Sequence, residues 1–261
     1  MVNKKAPGGL GFEKYPILHP HEVLSYLWDE VQVQVPKSEV SAYWKHAREF
    51  GEPWDVLSDA SDEHVSVGLH GDATRLWTIH RFEKVMAIFL NLVLFRPHSV
   101  RHSRFLLFSI PRDKLFKNRT LNAVFRRLLW SLEAAYDGVN PQTGVAGRPL
   151  SETDQKRALC PLTKSGARFA LTELRGDWEY HVEIWRPNAS WKSDTICFRC
   201  PAEAKGAAGN LYWNHGDGCT WESEEFGLES FVARRLRDSN LCTLAGSNLG
   251  NLLLLLFFSL V

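Results

Sequence analysis

At 261 residues the chain has room for one large domain or two small ones. Hydrophobic residues make up 44% and charged residues 23%, ordinary values for a globular protein that can bury a core. The formal net charge of +1 excludes a global electrostatic pull toward nucleic acid or acidic membranes, so any such attraction must be local.

Residues 1 to 20, rich in Gly and Pro, are expected to be loosely ordered. Their opening, "MVNKKAPGGLGFEKYP", has no apolar core of the kind a signal peptide needs. In "HEVLSYLWDE", Val23, Leu24, Leu27 and Trp28 share one helical face. "VQVQV" alternates with period two and reads as a short strand. "SEVSAYWKHAREFG" predicts a helix with Ser38 as N-cap and Gly51 as stop. From Glu52 to Glu63 there are five acids and no Lys or Arg, which predicts a solvated loop.

"HVSVGLHGD" sets Val65, Val67 and Leu69 against His64, Ser66, Gly68 and His70, predicting a strand that ends near Asp72. On that pattern His64 and His70 face solvent beside Asp72; a metal role for them is the weaker alternative. "KVMAIFLNLVLF" is a continuous apolar run, either a buried strand or a helix. "RFLLFSIPRD" predicts a strand stopped by Pro111. In "TLNAVFRRLLWSLEAAYDG" the residues Leu121, Val124, Phe125, Leu128, Leu129 and Leu132 form an amphipathic stripe, with Thr120 as cap and Gly138 as end. "SETDQKRAL" predicts a short helix whose Ser151 and Asp154 have capping-box spacing. "RFALTEL" predicts a fourth strand that ends next to Asp177. The order strand, strand, strand, helix, strand favours a crossover to a parallel neighbour. In a ribonuclease H-like arrangement the fourth strand lies beside the first, which would bring Asp72 and Asp177 to neighbouring strand ends.

Two close carboxylates can bridge Mg2+ or Mn2+ ions that activate a nucleophile and stabilise the leaving oxygen in phosphoryl transfer. Glu179 and Glu183 follow Asp177 and could assist. The plain alternative is that Asp72 caps a turn and Asp177 caps a helix starting near Trp178. Cys197 and Cys200 form a CxxC, followed after fourteen intervening residues by His215 and after three more by Cys219. Thiolates and imidazole at such spacing suit tetrahedral Zn2+; thiols without a metal are the alternative. The five cysteines form an odd, uneven set, which suits a reduced intracellular setting, nuclear or cytoplasmic, better than a secreted disulfide scaffold.

From Arg96 to Arg127 there are nine Lys or Arg and a single acid, Asp113, interleaved with His98, His102, Phe105 and Phe116. This is a candidate DNA phosphate-binding face, or the wet side of a strand and helix. After Asp238 the chain carries no charge, and only its last ten residues are near-continuously apolar, short of the roughly 20 that a membrane helix needs. A membrane tail anchor is the less favoured reading of this stretch. The favoured one is a shift of frame or read-through past a truncation.

"GLHGD", "TLNAVFRRLLWSLEAAYDGVNP", "ALTELRGDWEYHVEIW" and "CFRCPA" followed by "LYW" together resemble a large family abundant in dinoflagellate genomes, itself similar to plant CACTA-type transposases. The resemblance covers about residues 64 to 225. It implies an α/β fold with a ribonuclease H-like mixed sheet, flanking helices and an inserted cysteine knuckle, and Asp72 and Asp177 as metal ligands. The later acid of such relatives would lie beyond the knuckle, where Glu222, Glu224, Glu225 and Glu229 offer substitutes. The expected organisation is an N-terminal helical extension (1–63), the core (64–190), the knuckle (191–226) and a divergent apolar tail (227–261). The reading is a mobile-element-derived protein descended from a DNA strand-transfer enzyme, catalytically inactive through truncation but able to bind nucleic acid. The rival is a non-catalytic zinc-containing interaction module whose acids are structural.

Overall fold

The apolar segments of residues 64–175 assemble into a four-stranded mixed sheet in the computed structural model. It describes residues 2–6, 9–49, 60–75, 84–115, 117–177, 180–181, 193–197, 200–206, 210–216 and 219–221. The chain divides into two compact units, Met1–Arg175 and Gly176–Val261. In the first, the antiparallel pair β1 (Val2–Ala6) and β2 (Gly9–Glu13) precedes α1 (Pro20–Asp29) and α2 (Lys37–Glu49). There follow β3 (His64–Arg75), β4 (Lys84–Leu92), β5 (Phe105–Pro111), α3 (Lys117–Asp137), α4 (Glu152–Arg157) and β6 (Arg168–Arg175). The sheet runs β5-β4-β3-β6, antiparallel except for the parallel pair β3–β6.

The run at Lys84–Leu92 is a strand. Met86, Ile88, Leu90 and Leu92 are buried at period two, as one face of a pleated strand requires. All six residues of the α3 stripe are buried, each worth roughly 1.5–3 kcal/mol of apolar transfer. Gly138 ends α3 at φ +71°, with its N–H donating to the Ala134 carbonyl at 3.0 Å. Only glycine takes that backbone conformation without strain, and a Cβ there would lie 2.8 Å from Arg168 Cγ.

Four local expectations need correction. Residues 2–6 and 9–13 pair as antiparallel strands rather than loose chain. "VQVQV" is not a strand: Gln32 adopts φ +57°, which breaks the extended run, and Val33 N–H turns back to the Leu27 carbonyl at 2.9 Å. Ser38 lies inside α2, because the Pro36 carbonyl already accepts from Glu39 and Val40 and so holds the cap position. Thr120 is likewise buried inside α3, which starts at Lys117.

His64 departs most from the pattern. The alternation of β3 predicts a wet face, yet His64, Val65, Ser66 and Val67 are buried in succession. The cause is cover on both sides: α2 packs on β3, α3 packs on β6 and α1 packs on α3. The His64 ring lies 4.5 Å from that of Tyr136 at the end of α3, and the Trp44 indole of α2 donates to the His64 carbonyl at 2.7 Å. Burial holds the imidazole below its ordinary pKa.

Candidate functional site

Asp72 is half-buried inside β3, not at its end, and pairs with Ala87 of β4. β3 and β6 are parallel neighbours whose last pair is His70–Arg175; Asp72 and Asp177 each stand two residues further along the chain. The register shifts by one residue at Thr172, which lies unpaired between the pairs Val67–Leu171 and Gly68–Glu173. Such a bulge is held here by hydroxyls. Thr172 Oγ1 meets Ser66 Oγ, and the Tyr43 phenol hydrogen-bonds to both residues. Burial raises the Tyr43 pKa, which keeps the phenol neutral. Gly68 beside the bulge is fixed by space, since a Cβ there would lie 2.8 Å from Asn91 Oδ1.

Asp177 is exposed and serves as a local cap. Its Oδ1 accepts from Tyr180 N–H at 2.6 Å, and its carbonyl accepts from His181 N–H at 3.0 Å. This is the arrangement anticipated by the capping alternative. Glu179, Glu183, Glu222, Glu224, Glu225 and Glu229 lie outside the described residues. Among the described residues no three His, Cys, Asp or Glu side chains form a group that could hold a metal ion. A two-metal site needs more donors than the described residues bring together.

In the second unit, Ile196 N–H donates to the Ala202 carbonyl at 3.1 Å and Ala204 N–H to the Asp194 carbonyl at 2.6 Å. These bonds and the antiparallel bridge Thr195–Glu203 hold residues 194–196 against residues 202–204. Cys197 directly follows the first of these segments and Cys200 stands two residues before the second, Cys200 buried and Cys197 half-buried. His215 packs edge-on against Trp221 at 5.2 Å, and Cys219 N–H bonds to the Gly216 carbonyl at 3.1 Å. Among the described residues Cys197, Cys200, His215 and Cys219 do not form a group that could hold a metal ion.

The basic segment is divided between the two ends of the sheet and α3, which carries Lys117, Arg119, Arg126 and Arg127. Arg96, His98, Arg101, His102 and Arg104 are exposed on the β4–β5 loop, beyond the pairs Val67–Leu92 and Leu90–Phe105. Arg112 and Lys114 follow β5 beyond the pair Val85–Pro111, at the end of the sheet where Asp72 lies. At 3.3–3.4 Å per residue the two groups stand roughly 20 Å apart along the strands.

No protein-family profile matches the sequence, and no curated protein or solved structure shows significant similarity to it. The chain must be read from its own residues.

Sequence reasoning missed a polar cluster at the start of α1. His19 and His21 lie parallel at 5.7 Å, and both meet the Trp130 ring nearly at right angles, at 5.2 and 5.3 Å. Ser131 Oγ accepts from His21 N–H at 3.0 Å and lies 2.7 Å from His21 Nδ1, tying α1 to α3. Arg157 reaches Glu22 at 3.5 Å and Asp154 at 2.8 Å across a cavity of about 140 Å³. Burial pushes the His21 pKa down to about 4 and also lowers that of His19. The available signal was "HPH" immediately before an apolar helical face.

Proposed function

We propose that the chain is a mobile-element-derived protein with a ribonuclease H-like core that binds nucleic acid and does not carry out strand transfer. One observation carries this reading: the strand order. Three antiparallel neighbours are followed by a helical crossover to a fourth strand, which lies parallel to the first. That order is what the resemblance to the transposase-like family implies, with Asp72 and Asp177 at matching offsets beyond the last parallel pair. The reading without catalysis rests on Asp177, one of whose carboxylate oxygens is already engaged by Tyr180 N–H. The described donors do not fit a two-ion site, so no phosphoryl-transfer step is derived through Mg2+ or Mn2+. The test is titration of the purified full chain with duplex DNA across about 50 to 200 mM salt, with a nicking and joining assay in Mg2+ or Mn2+. Salt-sensitive binding without strand cleavage is expected. Cleavage that disappears in Asp177→Asn, or no binding to duplex at low salt, would overturn it.

A zinc-containing interaction module is the second reading, favoured by the pairing of residues 194–196 with 202–204, which flanks Cys197 and Cys200. Elemental analysis of the purified chain decides it. Stoichiometric zinc lost on Cys197→Ser supports the module; absence of zinc with an unchanged melt removes it.

A further inference from the structure

We propose that the β4–β5 loop, through Arg96, Arg101 and Arg104, is the surface that grips the phosphate backbone of duplex nucleic acid, at the end of the sheet away from Asp72. The assignment rests on the nucleic-acid reading above and names the side chains that would carry it. Residues 93–104 contain three arginines, two histidines and no acid. All three guanidinium groups are exposed, and among the described residues none is in an ion pair. Four other basic groups of the first unit are neutralised: Arg48 by Asp62 at 3.2 Å, Arg157 by Asp154 at 2.8 Å, Lys164 by Glu30 at 3.1 Å and Arg175 by Glu173 at 2.6 Å. Even at the other end of the sheet, Lys114 sits 3.9 Å from Asp113. Three charges of the basic segment that are unpaired among the described residues therefore lie close together on this loop.

The loop is also held in shape. Val93 N–H donates to the Ser66 carbonyl at 3.0 Å and Phe95 N–H to the Leu92 carbonyl at 3.2 Å, which fixes its start. Ser99 Oγ accepts from Arg101 N–H at 3.4 Å and its carbonyl accepts from His102 N–H at 2.9 Å, which fixes the turn at Val100–Ser103. A fixed loop loses little backbone entropy on binding. Guanidinium forks match phosphate oxygens in a bidentate way that ammonium groups do not, and the loop has arginine only. None of its described side chains is an exposed large apolar group of the kind that inserts into a membrane.

Three phosphate contacts contribute about 2.7 to the slope of log affinity against log salt. The experiment compares the full chain with the triple variant Arg96→Gln, Arg101→Gln, Arg104→Gln and the control Arg112→Gln, Lys114→Gln. A charge-preserving variant, Arg96→Lys, Arg101→Lys, Arg104→Lys, completes the set. Binding to a fluorescent duplex is read by anisotropy, and folding by thermal melt. The expected result is a slope reduced by about 2–3 in the triple glutamine variant, little changed in the other two, with melts alike. An unchanged slope in the triple variant, or the loss falling on the Arg112 and Lys114 control, overturns the assignment and leaves the nucleic-acid reading standing. No salt-dependent binding by the unaltered chain sinks that reading itself. Tighter binding to phosphatidylserine vesicles than to duplex at equal salt overturns the assignment in favour of a membrane.

Discussion

The sheet of the first unit and the bridged segments around Cys197 use the same backbone chemistry with different support. Strand β3 is paired with β4 over Val67–Arg75 and with β6 over His64–His70, and His64–Leu69 are buried in succession, so that even His64 and Ser66 are buried. The segments at Thr195, Glu203 and Leu211 are joined by isolated bridges, and among the described residues from 193 to 221 the buried apolar groups are Cys200 and Ala202. Tertiary burial carries the first, whereas local hydrogen bonds carry the second. Substitutions should therefore cost very different amounts in the two regions.

The largest effect belongs to β6. Phe169 is fully buried and meets Trp28 of α1 edge-on at 5.5 Å, so Phe169→Ala should destabilise the chain by about 3–5 kcal/mol in urea unfolding. A cost near that of a surface substitution would erase the contrast between the regions.

Acid should act next. His21 has a folded pKa of about 4 against an ordinary 6.5, so its neutral form is the one the fold accepts. Its contribution is fully present above about pH 6.5 and is lost as pH falls through 4. The gap corresponds to about 3 kcal/mol. Groups facing the pair are Glu22 on α1, Arg127 on α3, and Asp154 and Arg157 on α4. In His21→Gln, stability should fall less steeply between pH 6.5 and 4. Equal slopes would show that the latch between α1 and α3 is not held by the imidazole.

Gly138→Ala should cost about 1–2 kcal/mol, because alanine at φ +71° is strained and its Cβ meets Arg168. The second unit should show the smallest loss. Asn210→Ala removes the acceptor that Thr220 Oγ1 uses at 2.5 Å and should cost about 1 kcal/mol. A larger loss, or unfolding of the sheet with it, would show that the bridged segments are supported by more than local bonds.

The sheet was legible because its strands announce themselves. Met86, Ile88, Leu90 and the stripe from Leu121 to Leu132 follow the periodicities that burial demands, and Gly138 and Ser151 sit where helices stop and start. His64 was misread because alternation reports only that two faces differ, and here a second helix layer covers the polar one. "VQVQV" failed for a related reason: period two describes a strand only where a ladder partner exists. Capping by Asp177 was read as one of two options, and a single carboxylate cannot announce its partner from sequence. The histidine cluster stayed hidden because its parts come from positions 19–22, 130–131 and 154–157, joined only by folding.

One irregularity of β5 bears on how the chain behaves when crowded. Leu107 is the extra residue where the β4–β5 register shifts, between the pairs Ile88–Phe108 and Phe89–Leu106, and its carbonyl accepts from Leu18 N–H at 2.9 Å. β5 is an edge strand of the sheet, and an open edge is a template on which a second molecule can add its own strand. The shift bends that template, the segment at Leu18 occupies one of its acceptors, and Pro111 withholds a donor at its end. Removing the residues up to Leu18 would uncover this edge, and loss of solubility through strand-to-strand aggregation is the consequence to expect.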